Sequence, residues 1–109
     1  MGNYVINKSS NGQYYFVLKA SNGQVLVTSE TYTTKSNCKN GISSVKINGK
    51  YDANYTRLIS NNEQYYFVIK SSANGQVLAT SETYVTSQSR ESGIASCKLN
   101  IDSQIIDLT

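Results

Sequence analysis

The sequence predicts an α+β fold: a tandem repeat of a three-stranded antiparallel β-meander followed by a helix, two copies related by a pseudo-twofold in one compact domain. Three observations predict it: an internal repeat, asparagine-glycine turns between alternating strands, and a change to helical spacing after each set of strands. Laying residues 4–20 on 55–71 and 21–50 on 73–102, with Ser72 as an insertion, gives 25 identities in 47 positions. Self-similarity at this period marks a supersecondary unit that buries its apolar face on its neighbour. The chain has 109 residues, the size of one domain, and either copy alone would be at the lower edge of what folds unaided. Residues 1–109 therefore read as a single domain, with copies at about 3–52 and 53–109 sharing a core.

The elements follow in order. Asn11-Gly12 and Asn22-Gly23 separate β-rich runs and supply the positive φ that two-residue hairpin turns require. They delimit strands at Tyr4–Lys8, Gln13–Ala20 and Gln24–Thr31, with counterparts at Tyr55–Ile59, Gln64–Ser71 and Gln76–Thr83. In the second strand, alternation puts Tyr14, Phe16, Leu18 and Ala20 on one face and Tyr15, Val17 and Lys19 on the other. After Tyr32 come Thr- and Ser-rich helix-entry residues, then Cys38, Ile42 and Val45 at helical spacing, matched by Arg90, Ile94 and Cys97. Gly41 and Gly93 fall inside these helices, where glycine costs about 1 kcal/mol against alanine, so their retention in both copies implies close packing against the sheet or the other helix. Asn48-Gly49 ends the first helix, and Gln104–Thr109 reads as one more short strand.

The densest matches between the copies resemble the YegP-like family of bacterial proteins, in its two-repeat form. The family's Tyr-x-Phe-x-Leu-Lys, Asn-Gly and Thr-Ser-Glu-x-Tyr patterns are met by Tyr14, Phe16, Leu18 and Lys19; by Asn22 and Gly23; and by Thr28, Ser29, Glu30 and Tyr32. The second copy meets them at Tyr65, Phe67, Ile69 and Lys70; Asn74 and Gly75; and Thr80, Ser81, Glu82 and Tyr84. Asn40, Gly41 and Ile42 complete the match in the first helix, and Ser92 replaces the asparagine before Gly93. The resemblance implies an α+β fold and, for single-copy relatives, homodimers that the duplicated chain would imitate. It implies no reaction and no cofactor. Relatives often place arginine on the outward side of the second strand, where this chain has Tyr15, Val17, Tyr66 and Val68.

Catalysis finds little to work with. The chain has no histidine, which removes the commonest general base and metal ligand. Cys38, near a helix start beside Lys39, is the better placed of two thiols, but both it and Cys97 read as structural. Glu30 and Glu82 occupy equivalent places and would form a carboxylate pair if a twofold axis joined them; the plainer reading gives each a hydrogen-bonding role at a strand-to-helix junction. No cysteine set has zinc spacing, no acidic run has calcium-loop spacing, and no glycine-rich phosphate loop exists. The expectation is a non-enzymatic module without cofactor or metal.

Surfaces say more. Only 16% of residues are charged, against about 25% in ordinary globular chains. Residues 1–52 carry six lysines against Glu30 and Asp52, a balance of +4, while residues 53–109 carry four basic and five acidic residues, a balance of −1. Lys35, Lys39, Lys46 and, if the helix lasts that long, Lys50 form a basic stripe on the first helix; their counterparts are Ser87, Glu91, Lys98 and Asp102. A solvated helix face is the default, and weak phosphate contact to nucleic acid through Lys35, Lys39 and Lys46 is the sharper alternative, with Tyr15 and Tyr66 able to stack on bases. Tyr15, Val17, Tyr66 and Val68 are unusually apolar for a solvent face. They are expected either to be buried in part where two sheets meet within the chain, or to serve as an interaction surface for a protein partner or a second copy. No apolar run reaches the ~20 residues of a membrane span, the first residues lack a signal-peptide pattern, and two unmatched cysteines favour a reducing compartment. The chain reads as soluble, cytoplasmic and without a membrane partner.

Overall fold

The computed structural model describes residues 1–109. The first copy gives strands β1 (Asn3–Lys8), β2 (Tyr14–Lys19) and β3 (Val25–Ser29), then helix α1 (Lys35–Asn48); the second gives β4 (Tyr55–Ile59), β5 (Tyr65–Lys70) and β6 (Val77–Ser81), then α2 (Ser87–Asn100). A short 3-10 turn at Asp52–Asn54 joins them, and β7 (Gln104–Asp107) ends the order. Each helix is started by a threonine: Thr34 accepts a hydrogen bond from the Asn37 N–H and Thr86 from the Ser89 N–H, both at 3.0 Å, satisfying a donor that the first turn leaves free.

The hairpin turns differ from the expectation. Gly12, Gly23 and Gly75 have φ of 80°, 85° and 71°, but the asparagines before them do not share the positive φ, so these are not two-residue turns with both centres left-handed. The asparagine instead bonds forward: Asn22 and Asn74 accept from the N–H two residues on, that of Gln24 and Gln76, at 3.0 Å. The glycine then closes the turn as the single left-handed residue, the geometry of a longer hairpin loop with a bulge. In the second copy Glu63 stands where Gly12 would be, at φ 63°.

All strands belong to one sheet, in the order β4-β5-β6-β3-β2-β1-β7. The copies meet edge to edge, through an antiparallel pairing of β3 with β6 in which Thr28 faces Thr80, Val27 faces Ser81 and Ser29 faces Ala79. Since Thr28 and Thr80 are equivalent residues, this register is self-complementary, as a twofold relation between copies requires. The expectation of two sheets meeting face to face is therefore corrected: like strands pair through their backbones, so the apolar faces of the copies lie side by side.

Both helices lie on one face of this sheet. Cys38, Ile42 and Val45 from α1 and Ile94 and Cys97 from α2 join Tyr4, Ile6, Phe16, Leu18, Phe67 and Ile69 in a single cluster of 17 buried residues drawn from both copies. Each fully buried aliphatic or aromatic side chain contributes about 1.5–3 kcal/mol, so the shared cluster is the main stabilising feature. The copies are also pinned by hydrogen bonds: Tyr4 donates to the Ile101 carbonyl and Tyr55 to the Gly49 carbonyl, both at 2.7 Å, at equivalent helix ends. Gly41 and Gly93 do need close packing, chiefly against their own copy's tyrosines, with Phe16 of the sheet also close to Gly41. A side chain at either position would collide with the hydroxyl of Tyr32 or Tyr84.

Candidate functional site

With both helices on one face, the other face of the sheet carries no element. Strand pairing sets its contents residue by residue. Val5 faces Val17, Val17 faces Thr28, Thr28 faces Thr80, and Thr80 faces Val68, so one row runs across five strands. Tyr15 and Lys19 flank Val17 two residues away on β2, and Tyr66 and Lys70 flank Val68 on β5. Because β2 and β5 run in opposite directions, each end of the face presents one tyrosine and one lysine. The two tyrosines are diagonal, roughly 20 Å apart from three strand spacings and four residues of rise.

Val17 and Val68 are buried, at 8% and 5% exposure, while Tyr15 and Tyr66 are half-exposed. The valines stand outside the core cluster. Neighbouring side chains of their own face shield them, not a second sheet, so the expected internal burial between sheets is corrected. Beside Tyr66 lies a hollow of about 350 Å³ lined by Ile59, Ser60, Asn61, Thr80 and Thr83. The face offers aromatic rings, hydroxyls and two ammonium groups, which suits contact and not bond-making chemistry.

The basic stripe is largely occupied by the protein itself. Lys35 pairs with Asp107 of β7 at 3.0 Å and lies over the Tyr14 ring at 5.9 Å. Lys46 lies over Tyr4 at 5.5 Å, and Lys50, which falls beyond the end of α1 and so outside its stripe, approaches Asp102 at 3.8 Å. Lys39 alone of the four is exposed without an ion pair or a ring beneath it. Glu30 and Glu82 are exposed and are not brought together. β3 and β6 run antiparallel from Thr28 and Thr80, which sends the two carboxylates in opposite directions, roughly 14 Å apart along and across the strands. Cys38 and Cys97 have no exposed surface; burial pushes the thiol of Cys38 up to about 11 and that of Cys97 to about 12. The lysine beside Cys38 faces solvent and does not activate it.

Three arrangements have little signal in the sequence. Ser29 and Ser81 each accept the N–H of a phenylalanine on the neighbouring strand, Phe16 and Phe67, at 2.9 Å, and donate to the carbonyl of the following glutamate. They carry the ladder through its last step, which gives the Thr-Ser-Glu-x-Tyr block a backbone reason. Asn48 and Asn100, buried at equivalent helix ends, accept N–H groups from Ser72 at 2.9 Å and Gly2 at 2.8 Å; their repeated position was the only clue. The third is a charge cluster on β4 and α2. Arg57 donates to Glu91 at 2.9 Å and to Asp52 at 3.0 Å, and Lys98 reaches Asp52 at 2.8 Å. Hydrogen bonds from Arg57 and then Lys98 lower Asp52 to about 2.

Known proteins match over nearly the whole chain. The model of the family described as Domain of unknown function (DUF1508) matches twice, at residues 9–55 and 60–107. A UPF0339 protein of Acinetobacter baylyi is 48% identical over 99 residues, covering 91% of this chain and 88% of that protein. The UPF0339 protein YegP of Escherichia coli K12 is 44% identical over 105 residues, covering 96% and 94%. Among solved structures, the solution NMR structure of a UPF0339 protein from Shewanella oneidensis superposes with a TM-score of 0.92 at 44% identity, covering 99% of this chain and 92% of that one. That of YegP from Escherichia coli gives 0.92 at 44% identity, covering 99% and 93%. No helix is long and apolar enough to cross a membrane. With two matches of the family model and relatives this close, the chain belongs to the DUF1508 family, in its YegP-like tandem form.

Proposed function

We propose that the chain is a small non-catalytic binding module whose helix-free sheet face, centred on Tyr15, Val17, Tyr66 and Val68, receives another polypeptide. The observation that carries the reading is the one-sided sheet: seven strands with both helices on one face, and on the other a row of valines and threonines between two half-exposed tyrosines. Aromatic side chains around a water-poor patch are what protein interfaces enrich. The non-catalytic part is supported by the missing histidine, the raised thiols and the separated carboxylates. Two free thiols in the core fit a reducing compartment such as the cytoplasm. Nucleic acid is the weaker reading, because carboxylates face Lys35 and Lys50 and leave Lys39 as the free phosphate contact on α1.

The test is the double variant Tyr15→Ser with Tyr66→Ser. The tyrosines are outside the core, so the melting temperature is expected to fall by only a few degrees, while association with a second copy or with a protein retained from the native host is lost. Fluorescence titration of a single-stranded oligonucleotide at two salt concentrations runs in parallel. If variant and wild type retain the same proteins and the same association state, the sheet-face reading fails. Salt-dependent oligonucleotide binding that Lys39→Gln removes would put nucleic acid in its place.

A further inference from the structure

On the helix-bearing side, away from the open sheet face, the fold makes the same cleft twice. One cleft, of about 320 Å³, lies between α1 and the start of β6 and is lined by Tyr32, Asn37, Asn40, Ser44, Gln76 and Leu78. The other, of about 290 Å³, lies between α2 and the start of β3 and is lined by Tyr84, Ser89, Ser92, Ser96, Gln24 and Leu26. Gly41 and Gly93 stand at equivalent places in the two walls. Each cleft takes its helix and tyrosine from one copy and its glutamine and leucine from the other, so neither copy holds a complete one. Five of the seven equivalent pairs are identical, and the other two exchange Asn for Ser (Asn37 for Ser89, Asn40 for Ser92). Outward residues of the same helices have diverged in charge, from Lys35 and Lys39 to Ser87 and Glu91.

The chemistry of the lining selects a ligand class. Its polar side chains are amides and hydroxyls, each both donor and acceptor, and no ionised group is present to meet a charged ligand, whose desolvation would go uncompensated. The floor is a tyrosine ring and a leucine. The tyrosine hydroxyls are turned toward Gly41 and Gly93, and that of Tyr84 is closed to solvent, so the rings and not their hydroxyls are offered to a ligand. The volumes sit at the small end of ligand pockets, which run from about 300 Å³ upward. We propose that the two clefts are sites for an uncharged carbohydrate, one per helix, the C–H face of a sugar ring lying on the tyrosine and leucine and its hydroxyls meeting the glutamine, serines and asparagines.

The experiment is a two-dimensional amide NMR titration of the full chain with glucose, galactose, mannose, N-acetylglucosamine, maltose and chitobiose. At least one sugar is expected to give saturable shifts at Gly41, Ser44 and Gln76 and at Gly93, Ser96 and Gln24, with Lys39 and Tyr15 unmoved. Tyr84→Phe removes the unpartnered hydroxyl without touching the first cleft. It is expected to keep or raise the melting temperature and to leave the sugar shifts in place, because the hydroxyl it removes is closed to solvent. Gln24→Ala removes an exposed amide that lines the α2 cleft and is expected to weaken binding there by about tenfold, leaving the α1 cleft as an internal control. The proposal is overturned if none of the sugars moves cleft amides, if inorganic phosphate or a neutral tripeptide moves them and sugars do not, or if Gln24→Ala leaves the α2-cleft shifts intact. Because the sheet face is untouched by these variants, the result does not depend on that face binding anything.

Discussion

At Gly93, and equally at Gly41, the absence of a side chain is what lets the hydroxyl end of a tyrosine come up against the helix. Alanine would ordinarily stabilise a helix interior by up to about 1 kcal/mol, but here its methyl would displace the hydroxyl end of Tyr84. Gly93→Ala is therefore expected to destabilise the protein by about 1–3 kcal/mol, and adding Tyr84→Phe should recover part of the loss; chemical denaturation of the three variants measures both. The thiols give a second prediction at this scale. Burial raises both, so the folded state favours the neutral form; stability is full below the unfolded thiol value near 8.5 and declines as pH rises toward about 11 and 12. Neither should react with a disulfide reagent at neutral pH until the chain unfolds, when two equivalents are released. Both cysteines could be read as core from their helical spacing. The reason for the glycines could not, because spacing along a helix does not name what lies across it.

The two edges of the sheet are protected by different means. β1 is covered by β7, which pairs with it in parallel from Asn3 with Gln104 to Ile6 with Asp107. β4, its equivalent, has no covering strand and carries Arg57 where β1 has Ile6. An inward-facing charge on an open edge opposes pairing with other chains, and Arg90 adds a hydrogen bond at 3.2 Å to the Leu58 carbonyl. Arg57→Val should expose this edge and produce concentration-dependent association in sedimentation; a variant that stays monomeric at every concentration would show that the charge does not guard it. The paired carboxylates of these edges, though exposed, add a dependence on acid. Asp52 is lowered to about 2 by Arg57 and Lys98, and Asp107 is lowered further by Thr109 and Lys35. Depressed folded values mean that their contribution is present above the unfolded value near 4 and is lost as pH falls through 2, so the denaturant midpoint should hold from pH 7 to 5 and drop below 4. Strands and helices were legible here to within a residue or two, since period and turn chemistry are local. The partner of β7 was not legible, because a short apolar run specifies a strand and not the edge it joins.

At the scale of the whole molecule, one core cluster spans both copies, so neither half has a separate interior to keep. Residues 1–52 expressed alone should lack a cooperative thermal transition in circular dichroism, and mixing them with residues 53–109 should restore one; a monomeric first half that melts cooperatively would refute the shared core. The repeat made that sharing predictable, but not its form. Alternation gave each strand one apolar and one mixed face, which fits two stacked sheets as well as one continuous sheet; the choice was made by the backbone edges of β3 and β6, which no side-chain pattern encodes. The β3–β6 seam has one more consequence. In a homodimer such a seam would open on dilution, and any mutation would be copied into both halves at once. Here the halves cannot part however low the concentration, and each is inherited separately, so α1 can carry Lys35 and Lys39 where α2 carries Ser87 and Glu91, around an unchanged pair of tyrosines and glycines.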